Sequence, residues 1–176
     1  QNLSPNINCQ LLDQHETGTE RLTLQELHGF CRKNLDYRVT YLHSKGSFHA
    51  SEKNTNWRRL LTAAAISPYC VNPPDPSCNL CGVLFYTQFT FFIPGNMFTA
   101  SCEYVQKLLP FQDDVYVNAR ERAVEELLIL KLRNQLRTTL LWEQLDYMGL
   151  DRYADEHWIG SHPDVVPCDL DPRGSL

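Results

Sequence analysis

The sequence has no basic cluster. Its 176 residues carry 16 Lys and Arg against 21 Asp and Glu, a net charge of −5. Arg120, Arg122, Lys131, Arg133 and Arg137 share their stretch with Glu121, Glu125 and Glu126. Mixed signs at that spacing make a solvated helix face, not a stripe that tracks phosphates, so nucleic-acid binding is disfavoured. An apolar run of membrane length is also missing. The longest uncharged stretch, Asn79 to Cys102, is broken by Pro94-Gly95-Asn96 and interrupted by Thr87, Gln88 and Thr90, which excludes it as a spanning helix. There is no glycine-rich phosphate loop, no G-x-S-x-G elbow and no H-E-x-x-H pair, so the P-loop, serine-hydrolase and zincin motifs are excluded. No internal repeat, low-complexity tract or signal peptide is visible, and Gln1 is read as a processed terminus.

Cysteine is plentiful. Cys9, Cys31, Cys70, Cys78, Cys81, Cys102 and Cys168 are scattered along the chain. Such use points to disulfides in a secreted or lumenal protein. The odd count leaves at least one thiol free or paired outside the chain. Cys78-x-x-Cys81 has zinc-knuckle or redox spacing; a zinc site would draw on Cys70 and Cys102 as well. The competing reading is a pair of disulfides that pin the proline-rich loop to the following strand and helix, each contributing on the order of 3 kcal/mol. The sequon Asn2-Leu3-Ser4 is followed by Pro5, which lowers its weight.

Residues 1–21 read as an irregular N-terminal arm, and 22–176 as a single α/β domain with enough chain for a core. A helix is expected over Thr23–Asn34, capped by Thr23 and burying Leu24, Leu27, Phe30 and Cys31. A strand follows at once over Arg38–Leu42, then a polar loop over 43–55 and an amphipathic helix over Trp57–Ile66, stopped by Ser67-Pro68. Residues 69–80 read as loop, and Gly82–Ile93 as a second long strand. A third helix starts at Thr99 or Ser101 and ends at Pro110. A long helix over Val117–Tyr147, with leucines at four-residue steps and Gly149 after it, would measure about 45 Å. That exceeds what one small sheet needs, so its far end is a candidate surface for a protein partner. Arg152–Trp158 reads as a short helix before an extended tail.

Three constellations carry candidate chemistry. The first strand delivers His43, Ser44, Lys45 and Gly46 at its end, the place where open α/β folds bind ligands. Lys45 can balance a diphosphate, and Gly46 lets backbone N–H groups approach it; an exposed polar turn is the plain alternative. Asp155-Glu156-His157-Trp158 sets two carboxylates and an imidazole within one turn, suited to a general base on a hydroxyl, with Trp158 able to stack on a sugar face. A capped amphipathic turn with a buried Trp is the alternative there. His162-Pro163 with Cys168 reads as a rigid, disulfide-held tail.

Taken in order, the blocks resemble a family of glycosyltransferase-like, nucleotide-diphospho-sugar-transferase-like proteins from algae and other protists, with bacterial relatives. The resemblance rests on Leu22–Leu27 leading into Val39-Thr40-Tyr41-Leu42-His43-Ser44-Lys45-Gly46, on Trp57-Arg58-Arg59, on Cys78-Asn79-Leu80-Cys81-Gly82, on Pro94–Ala100 followed by Tyr104-Val105, and on Arg152–Pro163. It implies a partial GT-A-like (Rossmann-like) mixed sheet flanked by helices, braced by disulfides. It also implies transfer of a sugar from a nucleotide-sugar donor to a glycan or glycoprotein acceptor, in the Golgi or ER lumen or outside the cell. By the same resemblance His43, Lys45, Gly46 and His162 meet the donor diphosphate. Gly95, Asn96 and Trp158 line the acceptor side, and Glu156, with Asp155 beside it, is the catalytic base. GT-A strands usually end in an acidic D-x-D that holds a divalent metal; this strand ends in His43-Ser44-Lys45, so no metal is carried over. Relatives also have further N-terminal strands for the nucleotide, which leaves two expectations: a piece of a longer polypeptide, or a non-catalytic lumenal subunit that reuses the fold.

Overall fold

The computed structural model describes residues 11, 13–44, 51–86, 91–111, 114–132 and 153–170. Helix α1 spans Glu20–Cys31, followed by β1, Arg38–Tyr41. Helix α2 spans Glu52–Ala65 and a single turn, α3, Pro68–Val71. Then come β2, Leu80–Gly82, β3, Phe98–Ser101, and the short α4, Cys102–Val105. Helix α5 covers Val115–Leu132, α6 covers Tyr153–Trp158, and β4 is Pro167–Asp169.

The four strands form one mixed sheet in the order β1-β3-β2-β4. β3 is antiparallel to both β1 and β2, and β2 is parallel to β4. Side chains of the central strand alternate between two apolar layers. Phe98 and Ala100 join Leu24, Tyr41, Leu80, Tyr104, Trp158 and Ile159 in the main core, to which α1, α4 and α6 contribute. Met97, just before β3, packs with Leu61, Ala64, Ala65 and Val83. Thr99, facing the same way, donates to the Ala65 carbonyl at the end of α2, 2.6 Å away. Its oxygen also lies 2.6 Å from the Thr40 hydroxyl. Since the Thr99 proton goes to Ala65, Thr40 is the donor to Thr99. The sheet thus carries helices on both faces, the α/β arrangement expected.

Three disulfides brace it. Cys31–Cys102 ties α1 to α4, Cys70–Cys81 ties α3 to β2, and Cys78–Cys168 ties the approach to β2 to β4. Cys9 lies outside the described residues. Pairing of this kind is consistent with an oxidising compartment. No helix among the described residues is long and apolar enough to cross a membrane.

Several expectations need correction. α1 begins at Glu20, inside the expected irregular arm, and its cap is Thr19, whose hydroxyl accepts from the Arg21 N–H. Phe30 of α1 is 38% exposed and meets Tyr37 edge-on; His28 takes the buried place on that face. α2 starts five residues before Trp57, because Ser51 accepts from Asn54 N–H and caps it there. The expected Gly82–Ile93 strand is not continuous: the ladder ends at Gly82, Leu84 takes φ +62°, and the chain doubles back so that Tyr86 bridges Phe92. The Asp169 carboxylate holds this turn by accepting from Leu84 and Phe85 N–H. Of the two expected starts of the third helix, Ser101 is the one used, since it caps α4 by accepting from the Tyr104 N–H; Thr99 lies instead inside the central strand Phe98–Ser101, and α4 ends at Val105, short of Pro110. The far part of the long helix, from residue 133 to Tyr147, lies outside the described residues.

Candidate functional site

The C-terminal end of β1 and the turn before β3 lie side by side, because Tyr41 is opposite Phe98 in the antiparallel register. That turn is built by Gly95 and Asn96. Gly95 has φ +93° and Asn96 φ +50°, left-handed conformations that glycine, and to a lesser degree asparagine, adopt at low cost. The Asn96 N–H closes the turn on the Ile93 carbonyl, 2.9 Å away. The N-terminus of α1 and helix α6 approach the same place from the main-core side.

Four segments therefore meet in one hydrogen-bonded cluster. His43, just beyond β1, lies 2.8 Å from the Gly95 carbonyl through Nε2; a carbonyl only accepts, so Nε2 carries the proton. His43 Nδ1 is 3.6 Å from a Glu20 oxygen, and its ring stacks on Tyr41. Asn96 Nδ2 donates to Glu20 Oε2 at 2.8 Å and reaches the Asp155 carbonyl at 3.4 Å. Tyr41 Oη donates to Glu20 Oε2 at 3.4 Å. Glu156 Oε2 accepts from the Gly95 N–H at 3.3 Å. The Asp155 carboxylate lies 3.5 Å from Arg21 Nε, and Arg21 also donates to Asp114.

The cluster is closed on one side and open on the other. Asp155 and Glu156 are 2% and 6% exposed, whereas the Glu20 and His43 side chains retain 27% and 18%. Burial pushes the Asp155 carboxyl above its usual value against the opposing pull of Arg21. Burial first, then the Glu20 charge, raises the Tyr41 phenol. Burial likewise raises Tyr116. Three fully covered oxygens, Asn96 Oδ1, Tyr116 Oη and Asp155 Oδ1, have no hydrogen-bond partner, the last facing Arg21 Nε at 3.5 Å. The arrangement offers three carboxylates and an imidazole around one glycine–asparagine turn. Chemically it can position a hydroxyl and take its proton at the open Glu20–His43 side.

The structure brings together His43, Gly95, Asn96, Asp155 and Glu156 from the expected site. Lys45 and Gly46 lie outside the described residues. Trp158, expected to stack on a ligand, is fully buried: its Nε1 donates to the Leu109 carbonyl, and His28 and Phe111 cover its ring. His162 lies against Tyr104 and accepts from the Asp164 N–H, among neighbours other than the residues of the cluster. Beside the cluster, His157 stacks on Phe92 and accepts at Nδ1 from Arg120. Glu20 was missed. Its signal was an acidic residue directly after a capping Thr19, the first turn of a helix.

The sequence does contain one D-x-D, Asp169-Leu170-Asp171, at the end of β4 and not β1. Asp169 is engaged in holding Leu84 and Phe85, and Asp171 lies outside the described residues. Among the described residues no group of three or more His, Cys, Asp or Glu is placed to hold a metal ion.

No curated protein and no solved structure matches this chain. A family model does match, across residues 1–176, and the chain therefore belongs to the domain-of-unknown-function family DUF8361.

Proposed function

We propose that the chain is a glycosyltransferase-like domain that moves a sugar from a nucleotide-sugar donor to a glycan or protein acceptor in the secretory pathway. One observation supports this: His43 on the expected donor side, Gly95-Asn96 on the expected acceptor side and Asp155-Glu156 share a single cluster at the sheet end. In this reading Lys45 and Gly46 meet the diphosphate beyond His43. Glu156 fixes the Gly95 backbone and is the candidate base, with the more open Glu20 as its competitor for that role.

The test is transfer from a panel of UDP- and GDP-sugars by the full chain. Glu156→Gln and Glu20→Gln keep an amide oxygen for Gly95 or Asn96 but lose the base. Whichever residue is the base should lose nearly all turnover, with far-UV circular dichroism unchanged. Lys45→Ala should do the same by weakening donor binding. Wild-type turnover in all three variants would sink the assignment.

A second reading is favoured by the burial of Asp155 and Glu156, which shuts two of the three carboxylates from solvent. Here the fold is a non-catalytic, disulfide-braced subunit that binds a protein partner along the 117–147 helix. It requires that no nucleotide sugar binds, so measurable donor affinity would count against it.

A further inference from the structure

The sheet order β1-β3-β2-β4 leaves β1 and β4 as its two edges. Which way the β1 backbone groups point follows from the register. The Cys102 N–H donates to the Tyr37 carbonyl, and Val39 and Tyr41 stand opposite Ala100 and Phe98. Backbone groups alternate sides along a strand, so Tyr37, Val39 and Tyr41 turn theirs toward β3. The Ser101 N–H donates to the Asn79 carbonyl on the β2 side, which fixes the same phase. Arg38, Thr40 and Leu42 therefore present their N–H and C=O groups outward, and among the described residues no strand takes them up. An open edge is a template for pairing, and chains guard edges with proline, lysine or bulges. β4 opens with Pro167, whereas β1, Arg-Val-Thr-Tyr, has no such guard. Its one charge points away from the edge: Arg38 Nη1 reaches across β3 to the Cys78 carbonyl, 3.0 Å away. The residues flanking β1 are apolar and open, Tyr37 at 59% and Leu42 at 43% exposure.

We propose that β1 pairs antiparallel with β1 of a second copy of this chain, across a two-fold axis at Thr40. The register that engages all three outward residues joins Thr40 to the partner's Thr40 and Arg38 to the partner's Leu42. Each such pair exchanges both of its backbone hydrogen bonds, so the edge is its own complement. The side chains agree with this register. Leu42 lies along the aliphatic stem of the partner's Arg38, and the two arginines are kept apart, so no like charges meet. Val39 stands beside the partner's Tyr41 on the main-core face, to which both residues belong. His43 stacks on Tyr41, and one step further along this register the partner's Tyr37 comes opposite His43. That is the side of the cluster where Glu20 and His43 stay partly exposed. The second copy thus sets an aromatic ring against the open side of the candidate site, and the two sheets become one. The pairing itself does not depend on what the cluster does.

The experiment uses the full chain with Cys9→Ser, which removes the cysteine that takes no part in the three bridges and so any dimer linked through it. Sedimentation velocity across a micromolar concentration series should show a species of twice the 20.4 kDa chain mass, growing with concentration. Leu42→Lys alters an exposed side chain and sets a lysine against the partner's Arg38, twice per dimer. It should weaken the dimer about tenfold in Kd, with far-UV circular dichroism unchanged. Leu42→Glu sets the opposite charge there and should keep the dimer. Thr40→Cys should form a reducible covalent dimer, because the two copies of that position meet on the axis within disulfide reach. Leu42→Cys should not, since its two copies lie about 13 Å apart along the strands. A chain that stays monomeric throughout the series overturns the proposal. A dimer that Leu42→Lys leaves as tight as before, or that Leu42→Cys links and Thr40→Cys does not, overturns it equally.

Discussion

Asp155 lies at the covered end of the cluster, facing Arg21, Thr19 and Glu20, with Tyr116 close enough to sense its charge. Burial raises its carboxyl above the ordinary 3.8, and Arg21 only partly offsets this. The folded chain therefore holds this proton to higher pH than the unfolded chain does. The resulting stability is fully present below the ordinary carboxylate value and is lost as pH rises through the raised native one. Asp155→Asn should remove that part of the pH dependence, read as denaturation midpoints on the two sides of the window. Parallel profiles for wild type and variant would show that Asp155 titrates no differently in the two states. The residue scale also shows why the site was only partly legible. Asp155, Glu156 and His43 announced themselves as polar groups beside apolar patterns. Glu20 looked like any acidic residue at a helix start, because what distinguishes it is the arrival of Tyr41, His43 and Asn96 from elsewhere in the chain.

Among the elements, β3 carries the most structure per residue. It pairs on both edges and is buried on both faces, and Thr99 is its polar joint to α2. Thr99→Val keeps the branched shape that a strand favours but leaves the Ala65 carbonyl and the Thr40 hydroxyl without their shared partner. We expect a loss of about 1–3 kcal/mol in urea unfolding, and less additional cost when Thr40→Val is added, because the pair acts as a unit. A cost near zero would mean that water replaces the bond. The same strand explains a misreading. Phe98-Thr99-Ala100-Ser101 does alternate apolar and polar residues, but the strand is only 4 residues long and its Thr and Ser are also residue types that cap helices, so the alternation is too short to outweigh a helix start. Conversely, the run after Gly82 is rich in strand-forming residues yet turns away, because the Asp169 carboxylate, distant in sequence, holds the Leu84–Phe85 N–H groups.

At the scale of the molecule, α1 and α4 are joined by Cys31–Cys102, 71 residues apart in sequence. Closing a loop of that length in the unfolded chain is worth about 4 kcal/mol in the chain-entropy description. The double substitution Cys31→Ser/Cys102→Ser should lower the thermal midpoint markedly while leaving the other two bridges intact by mass after alkylation. A midpoint within error of wild type would place the stabilisation in the apolar contacts of the main core instead. The family match extends over residues 1–176, so this brace lies within the family's own span.

Composition, cysteine count and residue periodicity determined that the chain forms an α/β domain with disulfides, that β1 ends near Tyr41, and that α2 buries Leu61 and Ala64. Those are local or additive properties, carried by neighbouring residues and total counts. The partners of each cysteine, the place of Phe98–Ser101 at the centre of the sheet, the burial of Trp158 and the entry of Glu20 into the cluster were decided only by tertiary structure. Each depends on which distant segments meet, and pairing across a sheet or through a core leaves no periodic trace in any one of them.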